Sequence, residues 1–214
     1  MIVYKILDYV FATWSNIAVL RVINKVKIGL SGREIAKQAE MSAPSCFEAL
    51  SALENLNIVT RQRGGREHFF FLNREHYVVK KIVIPILNSE RKFAESIYSE
   101  IKEVLEKHSS SLIIFGSTAR KEEKIESDLD LCVVFNNPNS KNKIASLITD
   151  LSLSLFRKYG VSLSPFYISE KEFFRRAKIK KSPVNDILKD GFVISGKAIE
   201  SLLSEQENSK NKSR

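Results

Sequence analysis

Between residues 111 and 135 the chain reads SLIIFGSTARKEEKIESDLDLCVVF, a segment holding the residue types that phosphate and metal chemistry need. Ser111 to Phe115 is a short apolar run closed by Gly116-Ser117, which predicts a buried strand ending in a sharp turn. A short helix is expected over Thr118 to Lys124, then a loop at Ile125 to Ser127, then a second strand from Asp128 to Phe135. Side chains alternate along a strand, so Asp128 and Asp130 are expected on one face, with Leu129 and Leu131 on the other. Two like charges set side by side are costly unless a cation compensates, which points to a divalent metal held by Asp128 and Asp130. A glycine followed by a small hydroxyl residue at a helix start turns backbone N–H groups towards an anion, which makes Gly116 and Ser117 candidates for holding phosphate. Phosphate and metal sites that face each other are what phosphoryl or nucleotidyl transfer requires.

Gly116, Ser117, Ala119, Arg120, Glu122, Ser127, Asp128, Asp130 and Leu131 stand in the spacing G-S-x-A-R-x-E-x4-S-D-x-D-L. This pattern resembles the minimal nucleotidyltransferase branch of the DNA polymerase beta-like superfamily. The resemblance covers residues 95 to 200, because ILKDGFVISG at 187 to 196 is similar to the helix-then-strand ending of that branch. It implies that Gly116, Ser117 and Arg120 bind the nucleotide, that Asp128 and Asp130 are the catalytic pair ligating Mg²⁺ or Mn²⁺, and that an NTP, ATP first among them, donates a nucleoside monophosphate to a hydroxyl acceptor. Glu122 is expected to pair with Arg120. Active members of the branch add a third carboxylate on a later strand. The matching stretch here, VSLSPFYI at 161 to 168, holds no Asp or Glu, and Ser162 and Ser164 fall at the two candidate positions. A serine is a poor Mg²⁺ ligand and no general base at neutral pH, so nucleotide binding with slow transfer is the expectation.

Elements before this segment point to a different module. Apolar residues at helical spacing from Ile6 to Ile23 predict one or two helices, with Trp14 in the buried stripe. A helix from Gly32 to Ala39, a turn at Glu40 and Met41, and a second helix capped by Ser42 with Pro44 in its first turn follow. Val59 to Arg63 and Glu67 to Leu72 alternate around Gly64-Gly65, as in a hairpin. Helix, helix, hairpin resembles the winged helix-turn-helix family of DNA-binding domains, over residues 15 to 77. Between Gln38 and Thr60 there is no Lys or Arg but there are Glu40, Glu48 and Glu54, the wrong sign for a helix lying among phosphates. The wing carries Arg61, Arg63 and Arg66 and is the expected contact with duplex DNA.

The 214 residues are 43% hydrophobic and 28% charged, with 8 Gly and 5 Pro, the composition of a packed soluble protein and not of a disordered, collagen-like or disulfide-stapled one. Val78 to Leu87 includes Lys80, Lys81 and Pro85 and falls far short of the ~20 apolar residues of a membrane span. Met1 to Leu30 does not read as a signal peptide, so a cytoplasmic protein without a membrane partner is expected. Cys46 and Cys132 form no CxxC pair and are expected as reduced, buried thiols. The net charge of +9 favours a polyanionic partner. Of the basic clusters, the run Arg175, Arg176, Lys178, Lys180, Lys181 reads first as a solvated helix face, with a place over a triphosphate or an acidic acceptor as the alternative. His68, His76 and His108 are dispersed and read as structural.

The expected organisation is an α+β chain: a winged helix-turn-helix domain at 1–77, a helical connector at 78–94, a small α/β nucleotidyltransferase-like domain with a short mixed sheet at 95–204, and a disordered tail at 205–214. Two alternatives to an active transferase stay open: a non-enzymatic winged-helix DNA-binding regulator, and an antitoxin-like module that modifies or masks a protein partner. Winged-helix modules also serve in protein interaction and homodimerisation.

Overall fold

The computed structural model describes residues 2–65, 67–137 and 140–204. The chain divides into two compact units, Met1–Phe93 and Ala94–Arg214. The expected tail at 205–214 lies outside the described residues.

The first unit opens with helices α1 (Ile6–Val10) and α2 (Trp14–Asn24). Thr13 caps α2, its side chain accepting from the Asn16 N–H at 3.2 Å. That cap interrupts the helical phase between Val10 and Trp14. The inward face of α2 is therefore Ala18, Val19, Leu20, Val22 and Ile23, and Trp14, expected in the core, is 63% exposed. A two-residue strand β1 (Leu30–Ser31), too short to leave a period in the sequence, leads into α3 (Gly32–Gln38). Ser31 and Glu34 close a reciprocal capping box there. Helix α4 (Ala43–Asn55) starts at the Ser42 cap with Pro44 in its first turn. Strands β2 (Val59–Gly64) and β3 (Glu67–Leu72) form the wing hairpin, and β1 completes a sheet in the order β1-β3-β2. Leu20, Ile23, Ile35, Leu50, Leu53, Ile58 and Phe70 are buried in one cluster, each contributing about 1.5–3 kcal/mol on burial. Two helices set against a three-stranded hairpin sheet define a winged helix-turn-helix.

A π-helical turn, Val79–Val83, feeds α5 (Ile84–Leu105). Pro85, whose ring favours a kink or break in a helix, stands at the second position of α5 directly after the π-helical turn, inside a helical run that continues through it.

The second unit contains β4 (Ser111–Phe115), α6 (Gly116–Arg120), β5 (Leu129–Phe135), α7 (Ser140–Tyr159), β6 (Leu163–Ser169), α8 (Glu170–Lys178), α9 (Val184–Asp190) and β7 (Phe192–Gly196). The sheet order is β6-β5-β4-β7, with β5 and β6 parallel and the other neighbours antiparallel. Alternation sorts the strands onto two cores. Leu129, Leu131, Val133 and Phe135 pack with Ile144, Ile148, Leu151 and Leu155 of α7, while Cys132 and Val134 pack with Ile113, Phe115, Phe173 and Ile187. Helix α6 is shorter than expected, because Lys121 adopts a left-handed conformation (φ 58°) that ends it and leaves residues 121–128 as a loop.

Candidate active site

The β4 to α6 turn and the start of β5 are brought together by strand register, since Phe115 pairs with Asp130 across the antiparallel β4–β5 ladder. Gly116 follows Phe115 with φ +73°, a conformation that glycine adopts without strain. A β-carbon there would overlap Asp130 Oδ2 and stand 3.0 Å from Asp130 Cγ, so only glycine lets the carboxylate lie against the turn backbone. Asp130 points to the sheet face shared with Cys132, Phe166 and Ile168. Asp128 comes one residue before β5 and is exposed. The loop between α6 and Asp128 is closed by Ser127, whose side chain accepts the Lys124 N–H at 2.9 Å while its own N–H donates to Lys124 O at 2.9 Å.

Burial holds the Asp130 carboxyl above its ordinary value; the Ser164 hydroxyl bond opposes this, the Asp128 charge adds to it, and Arg120 opposes it more weakly. A half-buried Asp130 carboxyl with the Asp128 carboxylate near enough to act on it is a donor set that suits a hard divalent cation. Ser164 is beside Asp130 because β5 and β6 run parallel with these two residues in register. Among the described residues, no group of three or more His, Cys, Asp or Glu side chains converges on one point.

Arg120 forms ion pairs with Glu122 at 2.8 Å and with Asp190 at 3.7 Å. Sequence reasoning misses Asp190, at the end of α9, because nothing in a single sequence marks a pairing across 70 positions. Cys132 is fully buried and its thiol is pushed up by that burial, which leaves it inert. Cys46 is likewise buried and pushed up to about 11.

In the first unit, Arg61 pairs with Glu54 of α4 at 3.1 Å, and Arg63 is exposed opposite His68 on the hairpin. Arg66 lies outside the described residues. The exposed N-terminal face of α4 presents Pro44, Phe47, Glu48 and Ser51. No helix among the described residues is long and apolar enough to cross a membrane.

Strand order, the glycine turn and the paired aspartates define the second unit as a nucleotidyltransferase domain. Residues 97–191 match the family model described as "Nucleotidyltransferase domain". A relative from Methanocaldococcus jannaschii, provisionally named protein adenylyltransferase MJ1217, is 41% identical over 99 residues, a match covering 94% of that relative and 42% of this chain. The chain belongs to the nucleotidyltransferase superfamily. Solved structures with partial similarity include NadR in complex with 4-hydroxyphenylacetate (24% identity, TM-score 0.34, 44% of this chain). A mutant of Lactococcus lactis ZitR in apo form gives 14% identity, TM-score 0.32 and 71% of this chain. TrmBL2, an archaeal chromatin protein, gives 16% identity, TM-score 0.28 and 96% of this chain. This chain spans 62% of the NadR chain, 89% of ZitR and 95% of TrmBL2.

Proposed function

We propose that the second unit binds an NTP with Mg²⁺ or Mn²⁺ and transfers the nucleoside monophosphate to a hydroxyl, releasing pyrophosphate. The observation that carries this reading is the Asp130 carboxylate lying against Gly116, with Asp128 alongside. The name of the archaeal relative supports ATP as donor and a protein hydroxyl as acceptor. Asp128 and Asp130 would hold the divalent ion, which supplies charge neutralisation for the phosphates when bound. The Gly116-Ser117 turn seats the phosphates at the start of α6, and its glycine leaves room for the Asp130 carboxylate beside them. Arg120, steadied by Glu122 and Asp190, adds positive charge at the edge of that turn. Ser164 orients Asp130 through its hydroxyl but cannot take a proton from the acceptor, so transfer is slow. Calorimetry of the four NTPs with Mg²⁺, on wild type and on Asp128→Asn, tests the reading. Metal-dependent binding that the substitution abolishes is expected, and binding unaffected by it contradicts the reading.

A second reading concerns the first unit. Arg61, Arg63 and Arg66 on the wing support duplex DNA binding, while the Glu54 partner of Arg61 and the acidic, aromatic face of α4 argue that the interface is confined to the hairpin.

A further inference from the structure

Resting on the transferase reading, the geometry points to the acceptor: we propose that it is a hydroxyl-bearing residue within an acidic protein segment, held by the basic edge of α8 and the turn that follows it. The sheet order β6-β5-β4 places Asp130 between two flanks. Phosphates seated on Gly116-Ser117 occupy the β4 flank. In-line displacement requires the attacking oxygen to arrive opposite the departing pyrophosphate, which is the β6 flank beside Ser164.

That flank is strongly cationic. Helix α8 starts at Glu170, directly after β6 ends at Ser169, and lies back along the strand, because the Arg176 guanidinium is 5.7 Å from the Phe166 ring centroid. Phe166 is two residues beyond Ser164 on the same face, about 7 Å along the strand. Helix α8 ends at Lys178, about 3 Å beyond Arg176 in the direction of Ser164, and the turn that follows continues from there. The helix end and this turn carry Lys178, Lys180 and Lys181, all exposed, with exposed Ile179 among them. Arg175 and Arg176 both bond Glu172, leaving this pair of arginines with a net positive charge beside one carboxylate. Asp186 accepts from Ser182 at 2.6 Å and is the nearby acid on α9. Cations thus outnumber acids along the edge over which the acceptor enters.

An acidic acceptor also supplies what β6 lacks. The acceptor oxygen attacks the α-phosphorus, the bond from that phosphorus to the α–β bridging oxygen breaks, and pyrophosphate leaves with the electron pair. The hydroxyl proton passes to a carboxylate of the acceptor segment itself, next to Ser164.

The test uses the full chain, a non-transferable ATP analogue, Mg²⁺, and two fluorescent tyrosine peptides of equal length, one flanked by Glu and one by Gln. The Glu peptide should bind about tenfold more tightly. Lys180→Glu with Lys181→Glu should erase that difference, and Lys141→Glu with Lys143→Glu, the same charge change on α7, should keep it. Equal binding of the two peptides, or equal loss in both double variants, overturns the proposal. With ATP in place of the analogue, transfer without acidic preference sinks this inference and spares the function. Acidic preference in binding with no transfer to either peptide sinks the function and spares the docking edge.

Discussion

Gly116 and Asp130 are packed so closely that residue 116 has no room for a β-carbon beside the carboxylate. The relationship joins the two ends of the motif, which are 14 positions apart in sequence, through the register of β4 and β5. It also explains why the turn must be glycine on two separate grounds, the left-handed φ and the occupied space.

Gly116→Ala should therefore damage the site more than an ordinary surface change. Strain at φ +73° costs about 1–3 kcal/mol, and Asp130 must be displaced as well. Thermal melts should show the loss of stability, and NTP binding should be lost with it. Unchanged NTP affinity in a folded variant would contradict the close packing of turn and carboxylate.

Ser164 can be converted into the missing acid. Ser164→Asp places a third carboxylate beside Asp130 in the β5–β6 register. General-base assistance is worth about 10²–10⁴-fold, so transfer to the Gln-flanked tyrosine peptide, which brings no carboxylate of its own, should rise towards that range with Mg²⁺ present. A rate no higher than wild type, with NTP binding intact, would show that proton removal does not limit transfer.

Much of this is legible in the sequence because it is local. Ser42 and Pro44 mark the start of α4, Gly64-Gly65 marks the hairpin, and the two-residue period sets Leu129 and Leu131 on the face away from Asp130. What escapes depends on phase or on distance in sequence. A stripe that assumes one continuous helix puts Trp14 in the core, whereas the Thr13 cap restarts the helix and turns Trp14 outward. Helix α6 ends earlier than its composition suggests, because Lys121 is not a residue that announces a left-handed stop. The Arg120–Asp190 and Arg61–Glu54 pairs follow from tertiary packing, which no spacing encodes.

On the wing, Arg61→Ala, Arg63→Ala and Arg66→Ala together should weaken duplex binding and flatten its salt dependence, by about 0.9 in the log–log slope for each phosphate no longer neutralised. Glu48→Ala should weaken nothing. Titrations at several salt concentrations check both, and duplex binding unaltered by the triple change would remove the wing from the interface.

Acid stability has a specific contributor in the second unit. Hydrogen bonds from Arg175 and then Arg176 hold the Glu172 carboxyl down to about 2. A depressed carboxyl stabilises the folded state above its unfolded value, and that contribution fades as pH falls from the usual carboxylate range towards about 2. Glu172→Gln should flatten the pH dependence of unfolding across that window while leaving stability above it lowered. An unchanged acid limb in the denaturation profile would contradict this assignment.

The central claim is tested most directly by following transfer of labelled AMP from ATP to a tyrosine peptide by wild type and by Asp128→Asn. Slow, Mg²⁺-dependent transfer that falls to background in Asp128→Asn is the predicted result. Transfer that persists in Asp128→Asn at the wild-type rate would contradict the assignment of the paired aspartates as the reaction centre.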